Sequence, residues 1–114
     1  MPTLSITTNV VLPAGRPVQL CQKLSAAVAK TTGKPEAYVC VSLSHSQAIT
    51  FGGTDAPAAH GSLVSIGALG PRNAAHCAAI SAVLTAELGI PNDRFYLAFQ
   101  DIAAKDMGWS GATF

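Results

Sequence analysis

Residues 15–35 read GRPVQLCQKLSAAVAKTTGKP and residues 70–91 read GPRNAAHCAAISAVLTAELGIP. The two stretches share one plan. A glycine and a proline open each, and proline suits the first position of a helix because its missing N–H has no intrahelical partner there. In the first, Leu20, Leu24, Ala27, Val28 and Thr31 recur at helical spacing; in the second, Cys77, Ile80, Val83, Leu84 and Leu88 do the same. Gly33 and Gly89 then supply C-terminal stops, with Pro35 and Pro91 two residues beyond.

The segments around these helices repeat too. Thr3–Thr8 alternates Leu4 and Ile6 with threonine and serine, which predicts a strand. Tyr38–Leu43 is rich in β-branched and aromatic residues and predicts a second strand after the first helix; Phe95–Phe99 occupies the same place after the second. Leu63–Ile66 predicts the remaining strand, and Ala48–Phe51 a short one before Gly52-Gly53. The halves superpose at a spacing of about 56 residues, in pattern more than in identity. The result is an α+β chain, β-α-β followed by β-α-β, with residues 1–114 as a single domain. Right-handed crossovers put both helices on one face of a four-stranded mixed sheet. Two helices cannot cover both faces. The apolar runs Tyr38–Leu43 and Phe95–Phe99 therefore imply that the second face is buried against other copies of the chain.

Composition points the same way. Apolar residues make up 49% of the chain and charged residues only 11%, where an average soluble domain carries roughly 25% charge. No apolar stretch approaches the roughly 20 residues of a membrane span, so no membrane partner is expected. A net charge of +1 with scattered Lys and Arg argues against nucleic acid. Cys21, Cys40 and Cys77 are widely spaced, as are His45, His60 and His76, so neither a metal site nor a dithiol pair is indicated. No leader segment precedes the first strand, and a cytoplasmic location is expected, with export lacking a signal left open.

Pro2 directly precedes the first strand. Initiator methionine is normally removed before so small a residue, which leaves a proline whose nitrogen is a secondary amine. A free α-amino group titrates near pH 8; burial or a neighbouring cation lowers that value, and a neutral amine is a competent general base. By itself Pro2 also reads as an ordinary second residue. Lys34 alone reads as a cation closing a helix C-terminus, Ile66 as core, and Tyr38 and Tyr96 as strand aromatics.

Taken together, Pro2, Gly33-Lys34-Pro35, Tyr38-Val39, Phe51-Gly52-Gly53, Ser65-Ile66-Gly67, Asp93-Arg94 and Gly108-Trp109 with terminal Thr113-Phe114 resemble the macrophage migration inhibitory factor and D-dopachrome tautomerase family. The likeness runs the length of the chain in family order, and residues 51–67 are most similar to plant and algal members. The resemblance implies a homotrimer whose subunits pack their sheets around a central axis. It implies that Pro2 is the catalytic base of keto–enol tautomerisation, with Lys34 beside it. Substrate would be bound by the Ile66 backbone within Ser65-Ile66-Gly67, by Tyr38, by an apolar rim of Met107, Trp109 and Phe114, and by Tyr96 of a neighbouring subunit. A phenylpyruvate-type aromatic α-keto acid fits such a pocket, with dopachrome-like compounds as further candidates, and no metal or organic cofactor is called for.

There are departures. Ala98 replaces an asparagine that binds substrate in animal members, which weakens the expectation for phenolic substrates. Ala58 and Gly61 stand in place of the animal CxxC cysteines, so thiol–disulfide activity is not supported. The arginine and aspartate credited with receptor mimicry have no counterparts near Leu12 and Ser46. A non-enzymatic cytokine or interaction scaffold with a vestigial pocket is the alternative.

Overall fold

The computed structural model describes all residues, Met1 to Phe114. Its elements run β1 (Thr3–Thr8), α1 (Pro17–Thr32), β2 (Cys40–His45), β3 (Ala59–Ser65), α2 (Asn73–Leu88) and β4 (Phe95–Asp101), with a small hairpin of β5 (Gly108–Trp109) and β6 (Ala112–Thr113). The sheet order is β2-β1-β3-β4. β1 is parallel to β2 and antiparallel to β3, and β3 is parallel to β4. This is the mixed four-stranded sheet and paired β-α-β plan expected from the repeat.

The repeat extends to the buried positions. α1 buries Leu20, Leu24, Val28 and Thr32; α2 buries His76, Ile80, Leu84 and Leu88, position for position, together with Ser81. These stripes meet Leu4, Ile6, Ala59, Leu63, Ile90 and Phe95 in one core. Each fully buried leucine or isoleucine contributes about 1.5–3 kcal/mol relative to exposure. Both helices end in left-handed glycines, Gly33 at φ 69° and Gly89 at φ 68°, whose N–H groups return to Ala29 and Thr85.

Several expectations need correction. Tyr38 lies in a 3-10 turn, Glu36–Tyr38, and β2 begins only at Cys40. Pro35 at φ -59° starts the turn, and the Tyr38 N–H bonds back to the Pro35 carbonyl. β3 starts at Ala59, because His60, Gly61 and Ser62 pair with Thr7, Ile6 and Ser5 despite their loop-like composition, and it stops at Ser65, one residue short of Ile66. Gly70–Arg72 is a 3-10 turn ahead of α2. Ala48–Phe51 is no strand; only Phe51 forms an isolated bridge, to Thr54.

The uncovered sheet face is also unlike the apolar surface expected. Its rows, read across the sheet, are Gln100–Val64–Thr3–Cys40, Ala98–Ser62–Ser5–Ser42 and Tyr96–His60–Thr7–Ser44. Serine, threonine and small residues dominate. From Cys40 onward β2 alternates, with Val41 and Leu43 turned to the core, so its apolar look comes from one face plus the preceding turn. The apolar excess lies elsewhere: in exposed Ala74, Ala75, Ala78, Ala82 and Ala86 of α2, and in exposed Tyr96, Trp109 and Phe114.

Candidate functional site

The strand register decides what gathers near the start of the chain. Thr3 faces Cys40 on one side and Val64 on the other. Pro2, the turn through Tyr38 and the segment Ser65-Ile66 therefore emerge at the same end of the sheet. The C-terminus of α1 delivers Lys34 to that end. Pro2 is fully buried, and its carbonyl accepts from the Cys40 N–H at 3.0 Å.

A cleft of about 290 Å³ opens there, lined by Met1, Lys34, Tyr38, Ile66, Ala104 and Phe114. Tyr38, Trp109 and Phe114 form an aromatic wall. Tyr38 meets the other two edge-on, at centroid distances of 5.7 and 5.9 Å, while Trp109 and Phe114 stack at 5.2 Å. Such pairs each add about 0.5–1.5 kcal/mol beyond area burial. Met107 is half-buried, and its carbonyl accepts from the Phe114 N–H at 3.1 Å, which folds the tail back over the cleft. The tail would otherwise leave a Trp and a Phe wholly in water.

The α-amine of Met1 has its pKa lowered from 8.0, first by burial and second by the positive charge of Lys34. Both influences disfavour the ammonium form. The arrangement brings an amine of lowered pKa, a cation and an aromatic wall into one cleft, which suits proton transfer on an aromatic anion.

The Ile66 end of the cleft is held firmly. The Ser65 carbonyl accepts from the Ile102 N–H at 3.1 Å, and the Gly67 N–H donates to Asp101 Oδ1 at 3.0 Å. Ser65 itself is fully buried, and its Oγ has no partner. Gly67 at φ 73° and Ala68 at φ 63° are both left-handed; alanine pays for that conformation where glycine does not.

Tyr96 is the exception among the expected residues. It lies at the other end of β4, 71% exposed, on the face the helices leave open. There it packs on Phe51 with ring centroids 4.7 Å apart. Arg94 fixes that contact: its guanidinium sits 5.3 Å from the Phe51 ring centre and donates to the carbonyls of Phe51, Thr54, Ala56 and Pro57. Within one chain Tyr96 takes no part in the cleft.

Ala104 lines the cleft with no sequence signal to mark it, and Asp101 was legible only once β4 was known to run two residues past Phe99. A larger open groove, about 730 Å³, follows α2 past Ala74, Cys77, Ala78, Ser81, Ala82, Thr85, Ala86 and Asn92. Cys77 is its sole ionisable group, so it offers no acid–base pair. No three His, Cys, Asp or Glu side chains converge to hold a metal, and no helix is long and apolar enough to cross a membrane.

Comparison with known proteins agrees with this architecture. The family model described as macrophage migration inhibitory factor matches residues 1–114. The chain is 43% identical to a macrophage migration inhibitory factor homolog of Trichuris trichiura over 116 residues, covering all of both chains. It is 37% identical to the macrophage migration inhibitory factor of Xenopus laevis over 115 residues, covering all of this chain and 99% of that protein. Among solved structures it superposes on the Prochlorococcus marinus homologue with a TM-score of 0.91 at 35% identity, covering 98% of each chain. The Trichinella spiralis factor gives a TM-score of 0.88 at 36% identity, covering 98% of this chain and 99% of that one. A sequence match from the first residue to the last, joined to the same β-α-β-β-α-β sheet and helix plan, means that the chain belongs to the macrophage migration inhibitory factor family.

Proposed function

We propose that the protein is a keto–enol tautomerase of phenylpyruvate-type aromatic α-keto acids, with the amine of Pro2 as general base once Met1 has been removed. The observation that carries this is the cleft itself: the Met1 amine, one residue ahead of Pro2, sits there with its pKa lowered by burial and by Lys34.

In the ketonisation direction the neutral amine takes the enol hydroxyl proton. The resulting ammonium returns a proton to the adjacent carbon, so the base is regenerated. Lys34 pairs with the substrate carboxylate, and the Ile66 N–H donates to oxygen where negative charge develops. Tyr38, Trp109 and Phe114 pack the aromatic ring and exclude water, which keeps the amine neutral. The exposed aromatic side chain of Tyr96, at 71% exposure, suits a homotrimer in which Tyr96 of one subunit completes the cleft of the next. No step requires a metal or cofactor.

The test is enol–keto conversion of hydroxyphenylpyruvate by three forms: the processed protein, Pro2→Gly, and a form retaining Met1. The expected result is a drop of at least about 100-fold in kcat/KM for the last two, the usual worth of a positioned base. A pure interaction scaffold predicts equal rates in all three.

A further inference from the structure

In the buried stripe of α2, three of the four positions are aliphatic and the fourth is His76. Its counterpart in the internal repeat is Leu20 of α1, in the same place relative to Leu24 and Val28. Packing alone would therefore be served by leucine. His76 is fully buried, which is unusual for a residue with two polar ring atoms. Its ring lies 6.3 Å from that of Phe99, tilted by 41°. Nε2 is 2.6 Å from the Ala68 carbonyl. A carbonyl only accepts, so Nε2 carries the proton and donates. Nδ1 has no partner. The imidazole thus makes one hydrogen bond, and that bond goes to the segment that follows Ile66.

That segment needs an anchor. Ala68 is held at φ 63° between two left-handed glycines, Gly67 and Gly70. Such a backbone persists only when its surroundings impose it. Asp101 holds it from the exposed side through the Gly67 N–H, and His76 holds it from the core through the Ala68 carbonyl. Between these ties and the strand end at Ser65 lies Ile66, which lines the cleft and whose N–H meets no acceptor within the chain.

We propose that His76 is a positioning residue: by holding the Ala68 carbonyl it fixes the turn that presents the Ile66 amide to a ligand in the cleft. It touches neither substrate nor base. For its effect on rate the inference rests on the tautomerase reading, but its effect on the turn does not.

Two substitutions separate the hydrogen bond from the packing. His76→Gln places an amide N–H where Nε2 stands. His76→Leu supplies the shape used at Leu20 and no donor. Amide hydrogen exchange of the folded protein at Gly67, whose N–H is bonded to Asp101, is the first readout. Exchange at least 10-fold faster is expected in His76→Leu, and exchange within about 3-fold of the parent in His76→Gln. If His76→Leu fails to fold, His76→Asn, whose shorter amide cannot reach Ala68, takes its place. The second readout is steady-state tautomerisation: kcat reduced about 10-fold in His76→Leu with KM changed less than 3-fold, and restored in His76→Gln. Equal exchange at Gly67 in parent and His76→Leu overturns the proposal, as does a loosened turn in both variants alike. A parent protein without tautomerase activity overturns the proposed function instead, and the exchange experiment still decides the role of His76.

Discussion

The Cys40 N–H donates to the Pro2 carbonyl at 3.0 Å, so the residue carrying the proposed base is tied to the first rung of the sheet. The bond uses the backbone of Cys40 and leaves its thiol exposed. Cys40→Pro removes the donor and is expected to cost about 1–3 kcal/mol of stability, with kcat/KM lowered about 10-fold. Cys40→Ser keeps the N–H and is expected to change neither. Thermal melts and tautomerase assays of both variants check this, and a Cys40→Ser protein as impaired as Cys40→Pro would show that the thiol matters after all.

Lys34 lowers the pKa of the amine that begins the chain, acting second to burial. Lys34→Ala should therefore raise the pKa of the Met1 amine; with the Pro2 amine of the processed chain under the same cation, the acidic limb of the kcat/KM profile moves to higher pH. KM for a keto acid should also rise about 10-fold or more, as a charge-assisted hydrogen bond is lost. Stability follows the same sign. A folded-state pKa below 8.0 means that the unfolded chain binds this proton more readily, so stability falls as pH drops below 8.0 towards the depressed folded value. Lys34→Ala should flatten that fall. Profiles that overlay would remove Lys34 from the electrostatics of the cleft.

The chain has a single tryptophan, and Trp109 stands in the aromatic wall against Tyr38 and Phe114. Its fluorescence should respond when an aromatic keto-acid analogue binds. Phe114→Ala should weaken that binding about 3- to 10-fold, the worth of an aromatic pair, while Tm moves by only a few degrees because the hairpin of β5 and β6 lies outside the core. A fluorescence titration with unchanged affinity would exclude the tail from the site.

Gly61 faces the core where β3 crosses β1. A Cβ added there would sit 2.2 Å from the Ser5 carbonyl oxygen, closer than any real contact. Gly61→Ala should destabilise the protein by about 3 kcal/mol or more, read by urea unfolding. An unchanged midpoint would mean that β1 and β3 are less closely paired than described.

If Tyr96 completes the cleft of a neighbour, two inactive proteins should rescue one another. Pro2→Gly and Tyr96→Ala, unfolded together and refolded as a mixture, should regain activity that neither has alone, because some mixed assemblies join an intact Pro2 to an intact Tyr96. Sedimentation of the parent should give a trimer mass. A mixture no more active than the sum of its parts would confine each cleft to one chain.

Much of this was legible in the residues. The two helices were marked by punctuation, with proline near the start and glycine then proline at the end, and by stripes whose buried members recur from one half to the other. Pro2, Lys34, Ile66, Tyr38, Met107, Trp109 and Phe114 were named from motif order; the register of β1 with β2 and β3 explains why Pro2, the Tyr38 turn and Ile66 emerge at one end of the sheet, and the folded-back tail adds Trp109 and Phe114 against Tyr38. What the sequence hid was non-local. Nothing in His60-Gly61-Ser62 announces a strand, because the partner that makes it one is Thr7-Ile6-Ser5, more than fifty residues earlier. Tyr38-Val39 looks like the start of β2, because a turn begun by Pro35 can be built from strand-forming residues. The weight of His76 was invisible too: a lone histidine in an alanine-rich helix gains meaning only from the carbonyl that it meets.

The depth of Pro2 bears finally on how the protein is made. A peptidase that releases Met1 must take the Met1–Pro2 bond, in an open conformation, into its own active site. In the finished fold Pro2 is fully enclosed, and its carbonyl is already bound to Cys40. Under the proposed function, trimming would therefore be an event of the nascent chain, completed before β2 and β3 close around β1. A molecule that folded first would then keep its methionine, and a race at the ribosome would set the fraction of competent protein in a cell.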